Sequence, residues 1–132
     1  AIATLASPAL ASGRARAGAD HALPGVRAVF AMAPVVQPLT PASLRAMREP
    51  VVIVAGGDDV TVPAATHALV AKALLPNARV EILAGVTHYS FLATCSAAAK
   101  ASLPVCRDAT DQARAHRIAI EQAAALFDRT LR

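Results

Sequence analysis

Three short apolar runs limit what this chain can fold into: V-R-A-V-F-A-M-A at 26–33, V-V-I-V-A at 51–55 and R-V-E-I-L-A at 79–84. The first two are almost unbroken in apolar, largely β-branched residues, the pattern of strands covered on both faces in a parallel sheet. The third alternates, as a strand nearer a sheet edge does. Helical segments separate them. Thr40 is placed as an N-cap, Pro41 as the first helical residue, and Leu44 and Met47 then share a face. That helix must stop before Pro50. A second helix is expected from about Pro63 to Leu75, with Ala65, Leu69 and Ala73 on one stripe and Pro76 ending it. A third, over 110–131, carries Ala113, His116, Ile120, Ala123, Phe127 and Leu131 on one stripe. Asp111 in its first turn and Arg129 in its last suit the helix dipole. The stretch 11–23, with its Gly, Arg and Asp, reads as a mobile loop. Strand and helix in alternation predict an α/β fold with a parallel sheet of about three strands and flanking helices.

Composition narrows the function classes. With 55% hydrophobic and 17% charged residues over 132 positions, the chain can bury a core and is globular. No apolar run reaches the roughly 18 residues of a membrane helix. The opening A-I-A-T-L-A-S-P lacks the basic start of a signal peptide and contains a proline, so it reads as part of a helix already under way. The formal charge is +4, but the arginines are scattered and no basic stripe interleaves with aromatics. A solvated surface is therefore preferred to nucleic-acid binding. Cys95 and Cys106 have no His or Cys at ligand spacing, which argues against zinc. They form either a disulfide closing a short loop, which would mean an oxidising compartment, or two unrelated buried thiols. No metal or cofactor is expected.

In an open parallel sheet, chemistry gathers in the loops beyond the carboxyl ends of the strands. The second strand is followed by G-G-D-D-V-T-V-P, with Asp58 and Asp59, and the third by G-V-T-H, with His88. Adjacent strands lie about 4.8 Å apart, so side chains leaving their ends can meet in a hydrogen bond. A carboxylate that holds an imidazole in one tautomer is the supporting pair of a Ser-His-Asp triad, and the order acid-then-histidine fits hydrolases of this type.

These residues carry a resemblance. The run A-G-G-D-D-V-T-V-P is similar to the acid loop of the α/β-hydrolases, whose glycine, acid and proline fall on Gly56, Asp59 and Pro63. The segments T-H-Y-S-F-L-A-T-C, L-P-V-C-R-D and A-H-R-I-A-I resemble those of the predicted dienelactone hydrolases, relatives of the platelet-activating-factor acetylhydrolases. So do V-F-A-M-A-P and L-R-A-M-R-E-P-V-V-I-V-A-G, and the likeness runs from about Val26 to Arg132. Val86-Thr87 departs from it, since that family more often has a small residue and Gly before its His.

The resemblance implies that Asp59 is the orienting acid and His88 the general base. It implies a Cys95–Cys106 disulfide and hence a periplasmic or secreted protein. Its substrate would be a small ester or lactone, hydrolysed without a cofactor. Asp58 is then a turn residue or N-cap helper, and His116 a packed or hydrogen-bonded histidine. His21 and His67 read as surface residues. A polar residue ending a strand is the plain alternative for His88.

The nucleophile has no candidate. No G-x-S-x-G elbow occurs, and none of Ser7, Ser12, Ser43, Ser90, Ser96 and Ser102 is flanked by glycines in that pattern. Ser90 lies close to His88 in the chain, but neighbours at i, i+2 rarely align as nucleophile and base. The resemblance implies that 1–25 is the remainder of the helix and loop behind the elbow, and that 26–132 is the acid-and-base portion of the domain. The elbow and earlier strands would come from a missing N-terminal half or a second chain, and the edge of the 26–33 strand would be bare, an aggregation hazard. The alternative is a non-catalytic remnant or interaction module that has lost its nucleophile.

Overall fold

The computed structural model describes residues 8–17 and 23–132. The part of the expected opening helix that falls on 1–7 and the surface position of His21 lie outside the described residues. A 3-10 turn (Pro8–Leu10) leads into α1 (Ala11–Ala17), so the first part of the expected loop at 11–23 is helical. Then follow β1 (Val29–Met32), α2 (Pro41–Ala46), β2 (Val51–Gly56), α3 (Ala68–Leu74) and β3 (Ala78–Leu83). A 3-10 turn (His88–Phe91), two short helices α4 (Ala97–Ser102) and α5 (Pro104–Arg107), and the long α6 (Gln112–Thr130) complete the chain.

The three strands form one parallel sheet in the order β1-β2-β3, with Val29 opposite Val51 and Val51 opposite Ala78. The α/β expectation thus holds at the level of a three-stranded parallel sheet flanked by helices. Every residue of β2 is buried, as its unbroken apolar run requires. Its odd-numbered side chains, Val51, Ile53 and Ala55, pack with Leu44 of α2 and Ala68 and Ala71 of α3. On the opposite face Val54 packs with Leu83, Val86 and Ala115 of α6. The period of two along β2 is therefore what binds helices to both faces. β1 is shorter than its apolar run and only half-buried, with Met32 exposed. Its faces were expected to be covered like those of β2, and its edge to be bare. Among the described residues β2 is its only strand partner, so β1 is an edge strand.

Local signals account for several boundaries. Thr40 caps α2, its Oγ1 accepting from the Ser43 N–H at 3.1 Å, with Pro41 in the first turn. α3 begins later than expected, because 63–67 turn on themselves through Thr66 N–H to Pro63 O and His67 N–H to Ala64 O. Its buried face is Ala68, Ala71 and Leu75, not Ala65, Leu69 and Ala73, and Leu69 is exposed. α6 likewise buries Gln112, Ala115, Ala119 and Leu126, while Ile120, Phe127 and Leu131 of the expected stripe face outward. His67 was expected on the surface. It is buried, and its Nδ1 accepts from the Val36 N–H at 3.3 Å.

Cys95 and Cys106 form a disulfide with Cα atoms 5.8 Å apart, closing the excursion that carries α4 and α5. No helix among the described residues is long and apolar enough to cross a membrane.

Candidate active site

The loops after β2 and β3 are in backbone contact at the carboxyl end of the sheet. The Gly57 N–H donates to Leu83 O at 2.8 Å and the Asp58 N–H to Val86 O at 3.0 Å. This approach depends on glycine. A Cβ on Gly56 would sit 2.3 Å from the Val86 carbonyl oxygen, and one on Gly57 would be 3.1 Å from the Cα of Ala84. Gly85 turns the second loop at φ +75°, a region that favours glycine. The paired glycines of G-G-D-D therefore let the two loops touch, and the aspartates follow directly from that contact.

Asp58 and Asp59 part company here. Asp58 is exposed and its Oδ1 accepts from the Gly85 N–H at 3.3 Å, a tie between the loops. The Asp59 side chain is fully buried. Its Oδ1 accepts from the N–H groups of Thr61 (2.9 Å) and Val62 (2.7 Å), which fix the carboxylate plane. Its Oδ2 is 2.8 Å from His88 Nδ1. A carboxylate can only accept, so His88 Nδ1 donates to Oδ2.

The His88 ring is 28% exposed, and Nε2 has no hydrogen-bond partner among the described residues. It opens onto a groove of about 460 Å³ lined by Val60, Thr61, Thr87, Tyr89 and Arg107 among others. Tyr89 stacks edge-on against the imidazole, ring centroids 5.5 Å apart. A buried carboxylate behind an imidazole that lines an open groove is an arrangement able to take up a proton there.

Four of the serines are engaged in local hydrogen bonds, and Ser7 lies outside the described residues. Ser90 is fully buried, its Oγ accepting from the Thr87 N–H at 3.1 Å. Ser43 donates to Thr40 O, Ser96 caps α4 through the Ala99 N–H, and Ser102 donates to Ala98 O. Among the described residues no group of three His, Cys, Asp or Glu side chains gathers to hold a metal ion.

No family model matches the chain, and no curated protein matches it. The functional reading therefore rests on these side chains.

His116 donates from Nε2 to Leu92 O at 2.8 Å, joined there by Gln112 Nε2 at 3.1 Å. Sequence reasoning passed over Gln112, Thr87 and Thr110. Thr87 Oγ1 donates to Asp108 O, and Thr110 Oγ1 to Gly85 O at 2.7 Å. No sequence signal marks them, because their partners are main-chain carbonyls distant in the chain, 21 positions for Thr87 and 25 for Thr110.

Proposed function

We propose that this chain supplies the acid and the base of a serine hydrolase of the α/β-hydrolase type, acting on carboxylic esters or lactones. The observation that carries the reading is the buried Asp59 carboxylate bonded to His88 Nδ1 at 2.8 Å, with the His88 side chain lining a groove. The nucleophile is a serine on polypeptide outside these 132 residues, a missing N-terminal half or a second chain. Its hydroxyl attacks the ester carbonyl as His88 Nε2 takes the proton. Asp59 stabilises the resulting imidazolium, which then returns the proton to the leaving alkoxide. Water repeats the two transfers on the acyl-enzyme and frees the acid. The Cys95–Cys106 disulfide supports a periplasmic or secreted protein, since such bridges persist where thiols are oxidised.

A second reading, a non-catalytic remnant or interaction module, is favoured by one observation: no G-x-S-x-G occurs in the sequence. Labelling with a fluorophosphonate, read by intact mass, separates the two. The 132-residue chain is expected to take no adduct, and the protein as its gene encodes it in full to take one, lost on His88→Ala. If the nucleophile belongs to a second chain, that chain takes the label only in the complex. An adduct on the 132-residue chain alone overturns the externally supplied nucleophile. No adduct on either the full protein or its complex overturns the hydrolase reading.

A further inference from the structure

The loop that carries His88 is strapped to the segment before α6 and to its first turn by three hydrogen bonds in sequence order. Ala84 O accepts from the Arg114 guanidinium, Gly85 O from Thr110 Oγ1 at 2.7 Å, and Thr87 Oγ1 donates to Asp108 O. The last belongs to a chain of hydroxyls whose direction is fixed. Because Thr87 gives its only proton to a carbonyl, the 3.1 Å contact between Thr87 Oγ1 and Ser90 Oγ must be donated by Ser90. Ser90 also accepts from the Thr87 N–H, so the 3-10 turn bearing His88 is closed at its base by the same pair. The hydroxyl protons therefore run from Ser90 to Thr87 to Asp108 O.

The far end of the chain is held covalently. Asp108 stands two positions after Cys106, which is buried and bonded to Cys95. Three positions before Cys95, Leu92 O is pinned to α6 by Gln112 and His116. The bridge thus short-circuits an excursion anchored at Leu92 and Asp108 and keeps the Asp108 carbonyl where Thr87 meets it.

We infer that Thr87 and Thr110 are positioning residues for His88, and that the Cys95–Cys106 bridge acts on the imidazole through them. The inference rests on His88 being the base of the proposed site. Its test needs neither substrate nor nucleophile, so it can fail or stand separately from the hydrolase reading.

The readout is the His88 Nδ1 proton, observed by NMR in the uniformly ¹⁵N-labelled 132-residue chain and assigned by its loss in Asp59→Asn. Thr87→Val should speed its exchange with water by about tenfold, the factor that one hydrogen bond of ordinary strength represents. Thr87→Ser keeps the hydroxyl and should restore the parent rate. The double variant Cys95→Ser/Cys106→Ser should raise exchange as Thr87→Val does, and adding Thr87→Val to it should add little, because both act along one route. The amide spectrum of β2 reports whether each variant is folded. If Thr87→Val does not fold, Thr110→Val cuts the neighbouring strap with the Thr87 chain intact and should accelerate exchange likewise. A parent exchange rate in folded Thr87→Val or Thr110→Val, or failure of Thr87→Ser to restore it, overturns the positioning role. A parent rate in the cysteine variant overturns the link to the bridge.

Discussion

Gly56 and the Val86 carbonyl lie so close that a Cβ on the glycine would be 2.3 Å from the oxygen. This is backbone against backbone, and neither side can yield without separating the loops that carry Asp59 and His88. Gly56→Ala is therefore expected to cost at least about 2–3 kcal/mol, the upper part of the range for overpacked sites. Gly85→Ala meets no close atom but must hold φ +75°, and should cost about 1–2 kcal/mol. Urea denaturation of both variants checks the order.

Asp59 accepts three hydrogen bonds from inside the fold. Removing them all in Asp59→Ala should destabilise the chain by about 2–4 kcal/mol, because two backbone N–H groups lose their acceptor. Asp59→Asn keeps an oxygen for those N–H groups and should cost only about 1 kcal/mol. It turns an amide toward Nδ1, however, and so reverses the imidazole tautomer. If the proposed hydrolase reading holds, Asn should lower kcat by about 10⁴-fold while the fold survives. Chemical denaturation and ester hydrolysis together separate the two effects.

α6 gives a test of which face is packed. Leu126 is 1% exposed and Ile120 is 68% exposed. Leu126→Ala should cost about 2–5 kcal/mol. Ile120→Ala should fall within about 0.5 kcal/mol of the parent. Thermal unfolding of the pair would reverse this order if the sequence-predicted stripe were the buried one.

The disulfide closes a loop of eleven residues in sequence separation. On the chain-entropy model a loop of that size stabilises by about 3 kcal/mol. Cys95→Ser/Cys106→Ser should lose that amount in the urea midpoint. Added reductant should produce the same loss in the parent and no further loss in the variant.

Features set by residues near one another in the chain were legible in the sequence. The unbroken V-V-I-V-A run announces a strand covered on both faces, and β2 is buried throughout. Thr40-Pro41 announces a helix start, and Thr40 caps α2. The alternation at 79–84 announces an edge, and among the described residues β3 is one. The placing of Asp59 and His88 in loops after successive strands was legible too, since a parallel sheet brings such loops together. The covering of the faces of β1 was misjudged, because an apolar run does not reveal which neighbours will cover it.

What the tertiary structure alone decided is which face each helix turns inward and which distant groups fasten the site. The helices α3 and α6 are rich in alanine, so two adjacent faces of each are almost equally apolar, and periodicity could not choose between them. The choice fell to contacts through space: Ala115 against Val54 and Leu83, Ala71 against Ile53, Gln112 and His116 against Leu92 O. The burial of His67 against the Val36 N–H and the Thr87 and Thr110 straps arose the same way. Backbone preference and hydrophobic period are local and can be read along the chain. A hydrogen bond to a carbonyl twenty or more residues away exists only once the fold has brought the two together.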